Sequence, residues 1–403
     1  MRKTWYQYIL MVLWLLGGLP LNVEAQTDTV KVERSDAEWA QALTDSLTML
    51  LNDELFTTSQ LGLCVYDLTA DTALFVHNAR QRMRPASTEK ILTAITALSE
   101  LGSDYRFFTR LYVSGELRGN TLHGDVYVKG GFDPTFGKSD LQQFTTALSS
   151  RGIKSVKGAL CADVSMKDTL KWGMGWCWDD DNPTLTPLLY LGRDVFMDRM
   201  RTMARERGIT FSTTKVADCP SDAVLLKACS TPLSKVLERM MKESDNLYAE
   251  AVFYALAAKA GKPYATRKDA LYLIEKQISA MGFDPEKYSV ADGSGLSLYN
   301  YLTPELETAL LRYAYTHRHV YEPFYESLPI AGVDGTLKKR MKDTPAHYNV
   351  RAKTGTLTGV YSLAGYATAA NGHQLAFCII NQGVESGRIA REFQDKVCVL
   401  LCR

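Results

Sequence analysis

The sequence has no surplus of either charge, because its 403 residues contain 46 Lys and Arg against 45 Asp and Glu. A balanced chain gives no general attraction to nucleic acid or to anionic lipid, and we predict neither as a partner. Beyond the first 25 residues it also lacks a hydrophobic run long enough to span a membrane. Hydrophobic residues make up 46% of the chain and charged residues 23%, which excludes a disordered or fibrous protein.

Metal-ligand spacing is also absent from the sequence. The eight cysteines include no C-x-x-C pair, and the six histidines do not cluster with them, so we predict no metal and no cofactor. Cys64 and Cys378 lie in strand-like runs and are predicted to be buried thiols. A disulfide is more expected among the four cysteines of the middle third, at positions 161, 177, 219 and 229.

The first 25 residues have the anatomy of a secretory signal peptide. Arg2 and Lys3 form a short basic start, an apolar run over residues 9–16 follows, and Ala25 is a small residue at the expected cleavage point. The apolar run is shorter than the about 20 residues of a transmembrane helix. We therefore predict cleavage after Ala25, with no transmembrane anchor afterwards, and export to the periplasm.

The length predicts two domains rather than one. The two ends of the chain combine helical periodicity with a strand-rich C-terminal part, whereas the middle consists of short alternating runs separated by turn residues. This pattern predicts an α/β domain of the α+β type, formed by residues 26–103 and 230–403. An inserted strand-rich domain is predicted over residues 104–229.

Three short motifs occur in a meaningful order along the chain. They are S-x-x-K at Ser87-Thr88-Glu89-Lys90, S-D-N at Ser244-Asp245-Asn246, and K-T-G at Lys353-Thr354-Gly355. A second S-x-x-K match at residues 212–215 has no helix after it, whereas Ser87 opens an apolar helical pattern. The ordered triple is typical of penicillin-binding proteins and class A β-lactamases.

The motif residues have complementary chemistry. The Ser87 hydroxyl needs a base to become a nucleophile, and Lys90 lies one helical turn further on. Burial and a second cation, Lys353, would lower the pKa of Lys90 so that it can act as a general base. Ser244 is predicted to pass a proton to the leaving amine. Asn246 is predicted to orient both the substrate amide and Lys90.

The K-T-G strand supplies the predicted substrate contacts. Lys353, Thr354 and Gly355 are placed to hold a terminal carboxylate of the substrate. The backbone N–H groups of Ser87 and Thr356 are the predicted oxyanion donors. In contrast, Glu89 is predicted to be an ordinary acidic residue of the first helical turn, favoured there by the helix dipole.

These motifs resemble the D-alanyl-D-alanine carboxypeptidase/endopeptidase family, the class C low-molecular-mass penicillin-binding proteins. The resemblance rests on residues 86–94, 243–250, 291–297 and 351–357. Residues 130–135 are similar to the family's Gly-Asp-Pro segment, and residues 173–179 to its tryptophan loop. It implies a penicillin-binding transpeptidase-like or β-lactamase-like domain, in which helices flank an antiparallel sheet. An inserted domain splits this domain along the chain.

The resemblance implies a serine peptidase that hydrolyses peptidoglycan stem peptides and cross-links through an acyl-enzyme on Ser87. β-Lactams are expected to acylate the same serine. Asp133 is a candidate contact to the substrate side chain from the insertion, although the turn chemistry of Gly-Phe-Asp-Pro explains it equally simply.

Two other functions stay open from the sequence. A class A β-lactamase needs a deacylating Glu in an E-x-x-L-N-like context after S-D-N, and the downstream sequence has none. Glu250 follows Asn246 too closely and is expected to be structural. A non-catalytic penicillin-binding module of the cell wall is disfavoured by the intact motif triple.

Overall fold

The computed structural model describes residues 24–178 and 182–403, with side chains from residue 36 onward. The predicted signal peptide over residues 1–25 lies almost wholly outside the described residues and stays a prediction. The chain divides into two units, residues 1–50 and 51–403. In the first, one helix spans Glu24–Leu50. Within the described residues, no helix has both the length and the apolar character needed to cross a membrane.

A five-stranded antiparallel sheet forms the base of the second unit. Its strand order is β10-β11-β12-β1-β2. The strands are β1 Gln60–Asp67, β2 Thr72–His77, β10 Arg351–Leu357, β11 Val360–Thr368 and β12 Gln374–Gln382. Strands β11 and β12 are buried along almost their whole length, which requires cover on both faces of the sheet.

Helices on opposite faces provide this cover. Cys378 on β12 donates to the Glu307 carboxyl of helix Pro304–Thr316, at 3.4 Å. Asn381, on the same strand, accepts from Gln394 of the C-terminal helix, at 3.1 Å. Because side chains alternate between the two faces of a strand, positions 378 and 381 point to opposite sides. The five-stranded sheet is therefore sandwiched between these two helices.

A second sheet of seven strands is built from the middle of the chain. Its order is β4-β5-β7-β6-β3-β9, with β8 beside β7, and it mixes parallel and antiparallel pairs. The strands are β3 Arg106–Val113, β4 Glu116–Arg118, β5 Thr121–His123, β6 Val126–Lys129, β7 Ser155–Asp163, β8 Thr210–Val216 and β9 Val224–Pro232. Residues 121–129 form two strands, β5 and β6, because the chain turns at Gly124. The predicted limits of the inserted domain stay a prediction.

Ten helices complete the described part of the chain. They are α1 Glu24–Leu50, α2 Glu89–Leu101, α3 Lys138–Ser150, α4 Phe196–Glu206, α5 Leu233–Lys242, α6 Asn246–Ala258, α7 Arg267–Ala280, α8 Pro304–Thr316, α9 Arg318–Ser327 and α10 Gly387–Leu401. Helices α2 and α6 pack against each other and are buried on nearly all sides. A helix that is apolar all round belongs in a core, and these two carry the first two motifs into the middle of the unit.

All eight cysteines are free in the structure. The prediction that Cys64 and Cys378 are buried thiols is confirmed; they lie opposite each other on β1 and β12. The expected disulfide in the middle third is wrong. Cys161 and Cys229 are buried on separate strands, while Cys177 is exposed in a loop.

Candidate active site

Ser87 lies in a single 3-10 turn, Ala86–Thr88, that leads directly into helix α2. Ala86 adopts a positive φ of 51°, a conformation that is costly for a residue with a side chain. A Cβ added to Gly295 would lie 1.8 Å from the Ala86 carbonyl oxygen, so a neighbouring loop packs tightly against this turn. The backbone before the predicted nucleophile is therefore held in a strained, tightly packed position.

Lys90 is fully buried and is surrounded by neutral acceptors. Its Nζ lies 2.9 Å from Ser87 Oγ, 2.8 Å from Asn246 Oδ1 and 2.7 Å from the carbonyl oxygen of Ser294. Within the described residues it forms no direct ion pair with a carboxylate. Burial lowers its pKa to about 8, although the more distant charges of Asp292 and Glu250 act in the opposite direction. A lysine in this setting can exist in the neutral form that a general base requires.

Lys353 brings a second buried amine to the same place. Its Nζ contacts Ser244 Oγ at 2.8 Å and the carbonyl oxygen of Thr354 at 2.5 Å. Burial, and then repulsion from Lys90, lower its pKa well below the usual lysine value. The predicted cation pair, the two serines and Asn246 are thus brought together as one group, called here the Ser87 centre (Ser87, Lys90, Ser244, Asn246 and Lys353).

The S-D-N motif is placed by a helix cap. Asp245 accepts hydrogen bonds from the backbone N–H groups of Leu247 and Tyr248, which starts helix α6 at Asn246. Ser244, just outside the helix, has a φ of 58°. This left-handed residue turns the chain so that Ser244 and Asn246 face Lys353 and Lys90, respectively.

The K-T-G strand, β10, is an edge strand that lies against the Ser87 turn. A Cβ at Gly355 would come within 2.9 Å of the Ser87 nitrogen and 2.1 Å of Ser362 Oγ, so only glycine allows this approach. The N–H of Ala352 points away from β11, because it donates to the carbonyl of Pro329. N–H directions alternate along a strand, so the N–H of Thr356 points off the same edge.

Thr354 is the remaining predicted substrate contact on β10. Its hydroxyl bonds Thr336 Oγ1 at 2.8 Å at an exposed position beside the Ser87 centre. A hydroxyl there is accessible to a ligand that also reaches Lys353.

The sequence did not reveal the residue that organises the neighbouring loop. Asp292 is buried and accepts five hydrogen bonds; the donors are the backbone N–H groups of residues 294, 295 and 297 and the side chains of Trp176 and Asn300. This arrangement fixes the loop that presents the Ser294 carbonyl to Lys90. The bond from Trp176 Nε1, at 2.7 Å, ties the tryptophan loop to the same carboxylate. In the sequence, this loop was marked by the glycines on either side of Ser294 and by the family resemblance of residues 291–297.

Three buried glutamates lie around the Ser87 centre. Burial raises the pKa of Glu250 to about 8 and that of Glu307 to about 7. Glu250 accepts from the Gly293 N–H at 3.0 Å, and Glu307 accepts from the hydroxyl of Thr88 at 2.8 Å. Each carboxyl therefore holds a residue next to one that contacts Lys90: Gly293 precedes Ser294, and Thr88 follows Ser87. The sequence predicted only a structural role for Glu250.

The prediction for Glu89 is wrong in its physical reason. Glu89 is fully buried, and among the described residues neither carboxyl oxygen has a hydrogen-bond partner. Burial, and then the charge of Asp292, raise its pKa well above the usual value. Glu89 does lie in the first turn of α2, but a buried carboxyl without a hydrogen-bond partner is not explained by the helix dipole alone.

Asp133 is not joined to the Ser87 centre by any described contact. It is buried in its turn and accepts from the backbone N–H of Thr135 at 2.9 Å and from its hydroxyl at 2.7 Å. Burial raises the pKa of its carboxyl. These contacts support the turn explanation, and a substrate contact by Asp133 stays a prediction.

No group of three or more metal-ligating side chains occurs among residues 24–178 and 182–403 that could hold an ion.

Known proteins share both the sequence and the fold. The family model for "D-Ala-D-Ala carboxypeptidase 3 (S13) family" matches residues 17–188 and 193–403. D-alanyl-D-alanine carboxypeptidase DacB of Haemophilus influenzae is 26% identical over an alignment of 426 positions. The alignment covers 84% of this chain and 88% of that protein. Carboxypeptidase DacB of Mycolicibacterium smegmatis is 30% identical over 372 residues, covering 82% and 79%.

The fold matches a solved penicillin-binding protein. The crystal structure of penicillin-binding protein 4 from Haemophilus influenzae aligns with a TM-score of 0.78 and 24% identity, over 90% of this chain and 97% of that one. Its complex with a β-lactam aligns with a TM-score of 0.71. The predicted fold class, serine-peptidase class and family are confirmed: the chain belongs to the D-Ala-D-Ala carboxypeptidase 3 (S13) family.

Proposed function

We propose that the protein is a serine-type D-Ala-D-Ala carboxypeptidase and endopeptidase, which hydrolyses peptidoglycan stem peptides and their cross-links and is acylated by β-lactams. The observation that carries the proposal is the 2.9 Å contact between Lys90 Nζ and Ser87 Oγ, in a buried site where no carboxylate of the described residues pairs with the lysine. Family membership and the β-lactam complex of the Haemophilus protein support it.

In the acylation step, neutral Lys90 removes the proton of the Ser87 hydroxyl, and the oxygen attacks the carbonyl carbon of the penultimate D-Ala. The N–H groups of Ser87 and Thr356 stabilise the oxyanion that develops. Ser244, bonded to Lys353, delivers its own proton to the departing amine and recovers the one that Lys90 took from Ser87, so that both groups return to their starting state. Asn246 accepts a hydrogen bond from Lys90, and its side-chain amide can accept a hydrogen bond from the substrate amide or donate one to it. Water then hydrolyses the ester on Ser87.

Substrate selection follows from the K-T-G strand. The Lys353 amine and the Thr354 hydroxyl, with the Gly355 backbone beside them, bind the free carboxylate of a terminal D-Ala. In a cross-linked peptide the leaving amine belongs to a neighbouring stem peptide, and the same proton path through Ser244 serves it. We propose that the chain works in the periplasm after export, with an inserted domain over residues 104–229.

A β-lactamase is less well supported by the geometry. Rapid deacylation in class A enzymes uses a glutamate beside the acyl-enzyme. The Glu250 carboxyl is instead bonded to the Gly293 N–H, and burial favours its neutral form. We therefore expect a long-lived penicilloyl adduct.

The test combines labelling and product release. Purified protein should take up a fluorescent penicillin and release D-Ala from a peptide ending in D-Ala-D-Ala, and Ser87→Ala should lose both. Labelling of Ser87→Ala at the wild-type level would contradict the proposal. Rapid turnover of nitrocefin without a stable adduct in intact mass spectrometry would support the β-lactamase instead.

A further inference from the structure

A groove of about 520 Å³ lies at the far end of helix α6 from the Ser87 centre. Four cations line it, Arg106, Arg110, Lys129 and Lys262, together with the rings of Tyr105 and Phe108. Among the described residues no Asp or Glu lines it. In a chain with balanced charge, this local excess of cations requires an explanation.

The arginines are prepositioned along one face of strand β3. Residues 106, 108 and 110 alternate with buried neighbours and so share the outer face. The guanidinium of Arg106 donates to the hydroxyl and carbonyl oxygen of Ser230, at 2.9 and 3.2 Å. That of Arg110 lies 4.3 Å from the centre of the Phe108 ring. Each arginine retains N–H donors for a ligand.

The pairing across the sheet adds an electrostatic cost. Arg110 lies directly opposite Lys129 on β6, and like charges in this position destabilise a sheet. Lys129 has a partner in Asp163 at 3.4 Å, and Lys262 has one in Asp269 at 2.5 Å. Neither arginine has a carboxylate within ion-pair distance among the described residues. The groove therefore concentrates positive charge that the protein itself only partly neutralises.

We propose that this basic groove binds a carboxylate of the peptidoglycan polymer on a stem peptide other than the one being cleaved. The inference rests on the proposed function. Arginine presents a planar fork of donors that matches a carboxylate, and the terminal carboxylates of uncleaved stem peptides recur along the polymer.

The distance separates the groove from the site assigned to the terminal carboxylate of the reacting stem peptide. Asn246 at the start of α6 contacts Lys90, and Ala258 at its end lines the groove. Thirteen helical residues separate these ends by about 18 Å along the axis. The terminal carboxylate of the reacting peptide is assigned to Lys353 and Thr354, so the groove is free to take a carboxylate of a second stem peptide. Such a contact raises affinity for the polymer without changing turnover of a short peptide.

The experiment compares polymer and short substrate with the pair Arg106→Gln/Arg110→Gln. We expect binding to purified sacculi, measured by co-sedimentation, to weaken about tenfold, with turnover of a soluble D-Ala-D-Ala peptide unchanged. Arg201→Gln/Arg205→Gln, which removes the same charge from helix α4, should bind like the wild type. Arg106→Lys/Arg110→Lys should retain more binding than the Gln pair. Wild-type binding by the Gln pair would overturn the proposal.

Two treated wall preparations identify the ligand chemistry. Sacculi with amidated carboxylates should bind the wild type weakly, whereas sacculi stripped of phosphate-containing polymers should bind it fully. The opposite pattern would assign the groove to phosphate and contradict the proposal. A wild-type protein that releases no D-Ala would refute the proposed function alone, because the binding comparison does not depend on turnover.

Discussion

In the described part of the chain, two regions bury a lysine completely, and they surround it with different partners. Lys167, in the loop after β7, is paired with the Asp168 carboxylate at 2.9 Å, bonded to two carbonyl oxygens and placed 4.6 Å from the Tyr254 ring centre. Lys90 has only neutral acceptors at the same range. Burial lowers the pKa of both, but at Lys167 the adjacent Asp168 charge opposes this change directly.

The difference separates a structural lysine from a reactive one. A buried cation is tolerated when a carboxylate and hydrogen bonds compensate its lost hydration. At Lys167 the compensation is local, and the charge is stable. At the Ser87 centre no carboxylate among the described residues pairs with Lys90, and repulsion from Lys90 lowers the pKa of the second buried amine, Lys353, so this centre favours a neutral amine. The following predictions test this contrast, from the largest expected effect to the smallest.

Lys90→Met should abolish most of the chemistry while leaving the fold intact. Loss of a general base lowers a rate by about 10²- to 10⁴-fold. The stability should stay within about 1 kcal/mol of wild type, because lost hydrogen bonds are offset by no longer burying a cation. Stopped-flow acylation by a fluorescent penicillin and urea unfolding measure the two effects. An acylation rate within threefold of wild type would contradict the distinction between a reactive Lys90 and a structural Lys167.

Lys167→Met should do the reverse. It leaves the Asp168 carboxylate without its cation, so we expect a loss of about 3 kcal/mol in the free energy of unfolding. The acylation rate per folded molecule should be unchanged, since Lys167 does not contact the Ser87 centre. The same two assays measure it. Equal stability of Lys167→Met and wild type would show that Asp168 does not depend on this partner.

The buried glutamates predict that stability falls as pH rises. The folded pKa of Glu307 is raised to about 7, above the unfolded value of 4.5, so its contribution is complete below 4.5 and is lost as pH passes 7. Glu307→Gln keeps an acceptor for Thr88 and should remove on the order of 2 kcal/mol of this decline between pH 5 and 8. Urea unfolding at several pH values tests it. The half-buried neighbour Glu305, which pairs with Arg80 at 3.1 Å, provides the control, Glu305→Gln, whose decline should match the wild type.

Glu250→Gln should produce the smallest effect, a shift in a pH profile. Burial raises the pKa of Glu250 to about 8, so its charge acts on Lys90 only as the pH approaches that value, and it raises the pKa of Lys90 less than Asp292 does. Its removal should lower that pKa, so D-Ala release should begin at lower pH, by less than about one unit. Gln retains an oxygen that can accept from Gly293. A shift to higher pH would contradict the assigned sign.

The chain's motifs predicted much of the site and less of its surroundings. Ser87, Lys90, Asn246, Ser244 and Lys353 could be assigned because helix periodicity and a fixed strand motif carry their spacing in the local sequence. The buried helices α2 and α6 and the C-terminal strands could also be predicted, because continuous apolar runs mark them in the local sequence.

The parts that were missed depend on contacts distant in sequence. Asp292 organises its loop through Trp176, which is more than a hundred residues away along the chain. Glu89 could be placed on a helix, yet its burial depends on the loop around Gly295 packing against it. No local pattern distinguishes such residues from ordinary turn or helix-start acids. The strand order of the second sheet is likewise set by pairing between remote segments.

The central claim, that Lys90 is a buried amine neutral enough to activate Ser87, is tested most directly by the pH dependence of wild-type acylation. The rate constant for acylation by a β-lactam should rise with pH through an apparent pKa of about 8. A rate constant that does not change between pH 6 and 9, or one that rises only near the ordinary lysine pKa of about 10.4, would contradict the account.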